Sequence, residues 1–219
     1  MLRKFIFVLF FINFYFFLLP KKSFAQCGFK TANYLTELEK PNLIREIDIN
    51  IPNSRKYNLN LIKTFLSSKT SRGAIHNKYK KKFNANINVK YDFGTCKYKG
   101  KVWQNGDWKD HIKSDNGKFF RSLNVKLEDG NIMNATKFKL LIPETRNGFN
   151  EILATLIFKN LGFISPETFE TTVIVNGLKS NMIFQEDSQK ELLERNLRRE
   201  GPIFEGDESL IWSEKQFSL

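Results

Sequence analysis

The sequence predicts an α+β fold: a mainly antiparallel sheet of about five to seven strands carrying one principal packed helix. Three observations lead there. Ile87, Val89, Tyr91 and Phe93 alternate with Asn88, Lys90 and Asp92, and similar alternating runs recur toward the C-terminus, as half-buried strands require. Phe149, Ile152, Leu153, Leu156, Ile157 and Leu161 fall on one stripe of a 3.6-residue period, which predicts a helix over Asn147–Leu161 packed on that sheet. Asn176-Gly177 separates two β-prone runs, Thr168–Val175 and Leu178–Gln185, and suits the positive φ angles of a two-residue hairpin turn.

Taken in order, the chain begins with Arg3 and Lys4, an uncharged apolar run from Phe5 to Leu19, and Ser23-Phe24-Ala25. This is the pattern of a signal peptide over 1–25 cleaved after Ala25. The alternative is an uncleaved anchor, for which the run is short of the roughly 20 residues a membrane span needs. Gln26 before Cys27 argues against a lipidated cysteine. Exported protein in the periplasm, the cell envelope or outside the cell is therefore expected, without stable membrane insertion after cleavage. Cys27 and Cys96 then permit one disulfide tying the new N-terminus to the first hairpin, or remain two thiols.

Residues 26–84 read as an N-terminal extension. Asn33 to Lys40 suits a short helix, and Ile47, Ile49 and Ile51 a short strand. Tyr57 to Leu66, with Leu59, Ile62, Phe65 and Leu66, forms an amphipathic helix. The run holding Lys78, Lys80, Lys81 and Lys82 is either a solvated loop or a polyanion-binding site.

The β pattern starts at Ala85, and a partner strand carries Cys96, Tyr98, Gly100 and Val102 between Lys97, Lys99 and Lys101, so these lysines face solvent. The loop Gln104–His111 gathers a glycine, carboxylates, Trp108 and His111; Gly106 offers close approach to a phosphate, unless the loop is an ordinary turn with Trp108 folded under it. Leu123, Val125 and Leu127 mark the next strand, with Lys126 on its opposite face, and Phe138, Leu140 and Ile142 another. Lys126 near a helical glutamate such as Glu151 is a pairing used to hold nucleotide phosphates. Glu191 to Arg198 reads as a short helix stopped by Gly201-Pro202.

The formal net charge is +12. The leader holds four basic residues and no acidic ones, and the remainder, at 31 − 23 = +8, is still basic. A chain with 22 Phe and only 6 Pro, rich also in Ile, Lys and Asn, suggests an A/T-rich genome, which weakens arguments from lysine content alone. No recognition helix or interleaved aromatics accompany the lysines, so nucleic acid is not an expected partner. His76 and His111 lie apart, and no metal ligand set is expected.

The order Gln104-Asn105-Gly106-Asp107-Trp108, Arg121-Ser122-Leu123-Asn124-Val125-Lys126-Leu127, Arg146-Asn147, Leu161-Gly162, Ser165-Pro166, Val175-Asn176-Gly177 and Phe184-Gln185-Glu186 resembles the spore-coat protein H (CotH) family of secreted, atypical protein-kinase-like proteins. The likeness spans about Cys96 to about Glu208. Ser180-Asn181-Met182 stands where that family carries a glycine and a tyrosine after the hairpin. The resemblance implies the N-terminal lobe of an atypical protein kinase over 85–219, with Arg198 to Glu208 as an incomplete crossing into a second lobe. It also implies ATP and Mg as cofactors, Lys126 on the nucleotide phosphates, Glu151 orienting that lysine, Glu186 near the lobe junction and Gly106 in the phosphate loop. Family members continue into a C-terminal lobe that supplies catalytic and metal-binding aspartates, so this chain is expected to be inactive alone. No catalytic residue is assigned. The competing expectation is a non-enzymatic cell-envelope module that binds an anionic glycan or polymer through its Lys-rich sheet face.

Overall fold

Among the described residues alternation generates ten strands, and the pairing of seven of them closes a barrel. The computed structural model describes residues 26–29, 44–115 and 117–204. The signal-peptide, Asn33–Lys40 and Glu205–Glu208 expectations lie outside these residues. The strands are β1 (Gln26–Phe29), β2 (Ile44–Asn50), β3 (Phe83–Tyr91), β4 (Gly94–Gln104), β5 (Ile112–Asp115), β6 (Lys118–Arg121), β7 (Leu123–Leu127), β8 (Lys137–Leu141), β9 (Thr168–Val175) and β10 (Leu178–Glu186). Among the described residues three α-helices accompany them: α1 (Ser54–Thr70), α2 (Asn150–Asn160) and α3 (Lys190–Arg195).

The order β4-β3-β2-β9-β10-β8-β7 returns to β4, giving seven strands in a ring. One edge of β4 serves two neighbours: β1 pairs with Gly94–Lys97, and β7 with Gly100–Gln104. All ring pairings are antiparallel except β2 with β9. Cys27 lies opposite Cys96 in the β1–β4 register and is disulfide-bonded to it.

The predicted α+β fold, a mainly antiparallel sheet with one principal packed helix resembling the N-lobe of an atypical kinase, is therefore corrected to a mostly-β closed barrel with few helices. Residues 44–70, read from sequence as part of an extension, explain the closure. β2 fits between β3 and β9, where Ile51 N donates to Asn176 Oδ1 (2.7 Å) and Asn176 N to Ile49 O (2.9 Å). Asn176 and Gly177 turn β9 into β10 with φ of 48° and 83°, the left-handed pair the hairpin needs. Inside, inward positions such as Ile47, Ile87, Val125 and Leu140 are fully buried, and Phe138, Phe184 and Phe169 stack in series.

α1 plugs one end of the barrel. It buries Tyr57, Asn60, Leu61, Thr64 and Ser68, a stripe rotated from the predicted one, while Leu59, Ile62 and Leu66 stay exposed. Thr64 Oγ1 donates to Asn60 O and Ser68 Oγ to Phe65 O, so these small hydroxyls are satisfied by their own helix and tolerate burial.

The second correction concerns α2. The predicted helix forms, but its apolar stripe does not face the core. Phe149, Leu153, Leu156, Ile157 and Leu161 are 49–66% exposed, and Thr155 is the one buried residue of α2. The barrel interior is already filled by strand side chains, so α2 lies outside β9 and β10 on polar tethers. Gln185 Nε2 donates to Glu151 Oε1 (2.5 Å), Ser165 Oγ to Thr155 O (2.9 Å), and Lys159 pairs with Glu167 (2.6 Å). Asn147, expected as its cap, instead sits in a left-handed turn before the helix. Its end matches the sequence: Gly162 N bonds to Lys159 O and Phe163 N to Phe158 O, a Schellman closure.

Candidate anion-binding surface

Period-two alternation sends every second residue of β4, β7 and β8 outward, and the register sets three lysines in line. Lys101 lies opposite Lys126, and Lys126 opposite Lys137. Like charges directly across a sheet oppose folding, so this row carries a standing cost. Lys97 and Lys99 extend it along β4, facing Asn88 and Asn86 of β3. Strand spacing and two-residue rise make a grid of cations about 5 Å by about 7 Å. Trp103 sits at the grid's edge, with Lys82 Nζ 5.0 Å from its ring centre.

Neutralisation of the grid is partial. Lys137 and Lys139 share Asp187, at 2.5 and 3.3 Å, and Lys101 reaches the exposed Glu128 at 3.3 Å. Among the described residues Lys97, Lys99 and Lys126 have no carboxylate within ion-pair distance. The arrangement is chemically suited to repeated oxyanions, each met by ammonium groups and flanking amide donors.

The four residues singled out from sequence lie apart. Lys126 is exposed on the outer wall. Glu186, 3% exposed, alternates with Gln185 and lies on the inner face with Phe184. Its Oε2 accepts from Arg195 Nη2 (2.5 Å) and from Glu167 N (3.1 Å), while Oε1 has no partner. Burial pushes the Glu186 carboxyl above its ordinary range, outweighing the Glu167 amide and the Arg195 charge that act in the other direction. Glu151 on α2 is held by Gln185 and by Arg146 at 3.5 Å, and no ion pair joins it to Lys126 among the described residues.

Gly106, with φ +80°, makes room for an internal side chain. A Cβ there would lie 1.9 Å from Cδ2 of His111. His111 is 7% exposed, and burial holds its pKa below the usual value. Trp108 is 48% exposed, so it is not folded beneath the loop.

The residue that sequence reasoning passed over is Arg121. It was read as one basic position in a strand, whereas the chain breaks between β6 and β7 at Ser122, which bonds out of the ladder to His111 O and Asn105 N. Arg121 is left 3% exposed. Its signal was a charge one step before an apolar alternation, too common a pattern to single out.

Among the described residues no group of three or more His, Cys, Asp or Glu is placed to hold a metal ion, and no helix is long and apolar enough to cross a membrane. No family model matches the chain, and no curated protein matches it.

Proposed function

We propose that this protein is a non-enzymatic module of the cell envelope or exterior that holds an anionic polymer, such as an acidic glycan, on the outer wall of β4, β7 and β8. The observation that carries this reading is the cross-strand row Lys101, Lys126 and Lys137. A polymer can supply anions at the spacing of the grid and relieve the repulsion within it. The exposed Asn84 and Asn86 beside the row add amide donors, and Trp103 adds an aromatic edge. The leader pattern and the Cys27–Cys96 bridge support an exported, oxidising location.

The test is binding to immobilised polygalacturonate, with neutral dextran as control, at low and high salt. Retention should fall as salt screens the lysines. Replacing Lys101, Lys126 and Lys137 together by Ala should weaken it about tenfold, from roughly 0.5 kcal/mol per exposed charge contact. Equal retention by the triple variant would refute the proposal.

A further inference from the structure

At the plugged end of the barrel a cavity of about 320 Å³ opens between α1, the β5–β6 hairpin and the tip of β9–β10. Its walls are mainly apolar, from Leu61, Phe119, Phe120, Val175, Leu178 and Met182, with Asn58, Asn176 and Ser180 among them. Arg121 also lines it, and among the described residues is the sole charged lining residue that is buried; Lys118 is exposed.

The bonding of Arg121 leaves its charge without an opposite. Nε donates to Tyr57 Oη (3.1 Å), Nη1 to Asn60 Oδ1 (3.0 Å), and the guanidinium lies 4.1 Å from the Tyr57 ring centre. Both partner residues are neutral. Nη2 is buried and has no hydrogen-bond partner, and no carboxylate among the described residues pairs with this side chain. A buried guanidinium without a counter-charge is costly, and an unused donor adds to the cost. A structural strut between α1 and β6 needs only the two bonds already made.

We propose that this cavity binds a small amphipathic carboxylate, its apolar body against Phe119, Phe120, Leu61 and Met182 and its head meeting the Arg121 guanidinium, whose Nη2 is closed to water in this structure and turns toward the cavity on binding. A single guanidinium with one unused amino group matches a monoanion, whereas a phosphate dianion would call for further buried donors. The volume lies at the lower end of the range for small-ligand sites. This site is separate from the lysine wall and does not depend on it.

The experiment is calorimetric titration of the full chain with decanoate, decanol and decyltrimethylammonium, each below its micelle concentration. Decanoate should bind at least tenfold more tightly than decanol, and the cation should not bind. Arg121→Met should remove the preference for decanoate over decanol. Because Arg121 also braces α1, Ser180→Phe supplies a second variant that fills the cavity and should abolish decanoate binding while keeping a cooperative melt. The Lys101, Lys126 and Lys137 triple Ala variant should bind decanoate as the parent does. No heat with decanoate, equal affinity for decanol, undiminished binding by Ser180→Phe, or loss in the lysine variant would each overturn the proposal.

Discussion

Placing a charge on the stripe of α2 distinguishes a helix that covers a core from one that lies outside it. Leu156 is 49% exposed. Full burial of a leucine is worth about 1.5–3 kcal/mol, so the half that is covered contributes about 1 kcal/mol. Leu→Asp in a helix interior costs about 0.5 kcal/mol more in propensity. Leu156→Asp should therefore destabilise by about 1.5 kcal/mol, lowering the melting temperature by roughly 3–6 °C in a domain of this size. Leu140→Asp places the same charge at a 0% exposed position inside the barrel, where an unpaired carboxylate removes more than about 4 kcal/mol. Thermal melts followed by circular dichroism separate the cases: the α2 variant should melt cooperatively and the barrel variant should not. A Leu156→Asp protein without a cooperative melt would mean that the stripe is packed against a core, and the barrel arrangement of α2 would be wrong.

Three further outcomes follow from individual contacts. The Cys27–Cys96 bridge joins residues 69 apart, so its reduction should cost about 4 kcal/mol by chain entropy and lower the melting temperature on the order of 10 °C; a melt unchanged by reductant would contradict this. Gly106→Ala must displace His111 and hold Ala at positive φ, a loss of about 2–4 kcal/mol. The same change should cost much less in a His111→Ala background, and additive losses would show that the two residues do not meet. Glu186 has a raised carboxyl pKa, so its contribution to stability is full while it is protonated and fades as pH rises from 4.5 through the raised value. Glu186→Gln stays neutral, so the stability of the parent relative to this variant should decline across that window; denaturant titrations giving a constant difference from about pH 4 to about pH 8 would refute the burial argument.

The local elements were legible because local rules fix them; the closure was not. Alternation at Ile47 and Ile49 marks a strand and its buried face, but period two says nothing about which edge the strand will meet. Its partner β9 is more than a hundred residues away, fixed by bonds such as Ile51 N to Asn176 Oδ1 across a separation of 125. Placing that one strand turns an open sheet into a ring and fills the interior, which removes the space where α2 was expected to pack. An amphipathic period likewise identifies a stripe without saying that anything covers it. The stripe on α2 was read correctly as helical and wrongly as buried. On α1 the largest side chains pointed to the wrong stripe, because Asn60 receives Arg121 and Thr64 and Ser68 satisfy their hydroxyls within the helix. The lysine row has the same origin. Each lysine was recognisable as outward-facing from its own strand, yet Lys101, Lys126 and Lys137 become neighbours only through pairings of β4 with β7 and of β7 with β8. Arg121 completes the case: its burial depends on α1 capping the barrel, its missing counter-charge on what every neighbouring element does not supply. Sites that arise from closure of the chain on itself are invisible to a reading made one segment at a time, and both proposed anion sites are of that kind.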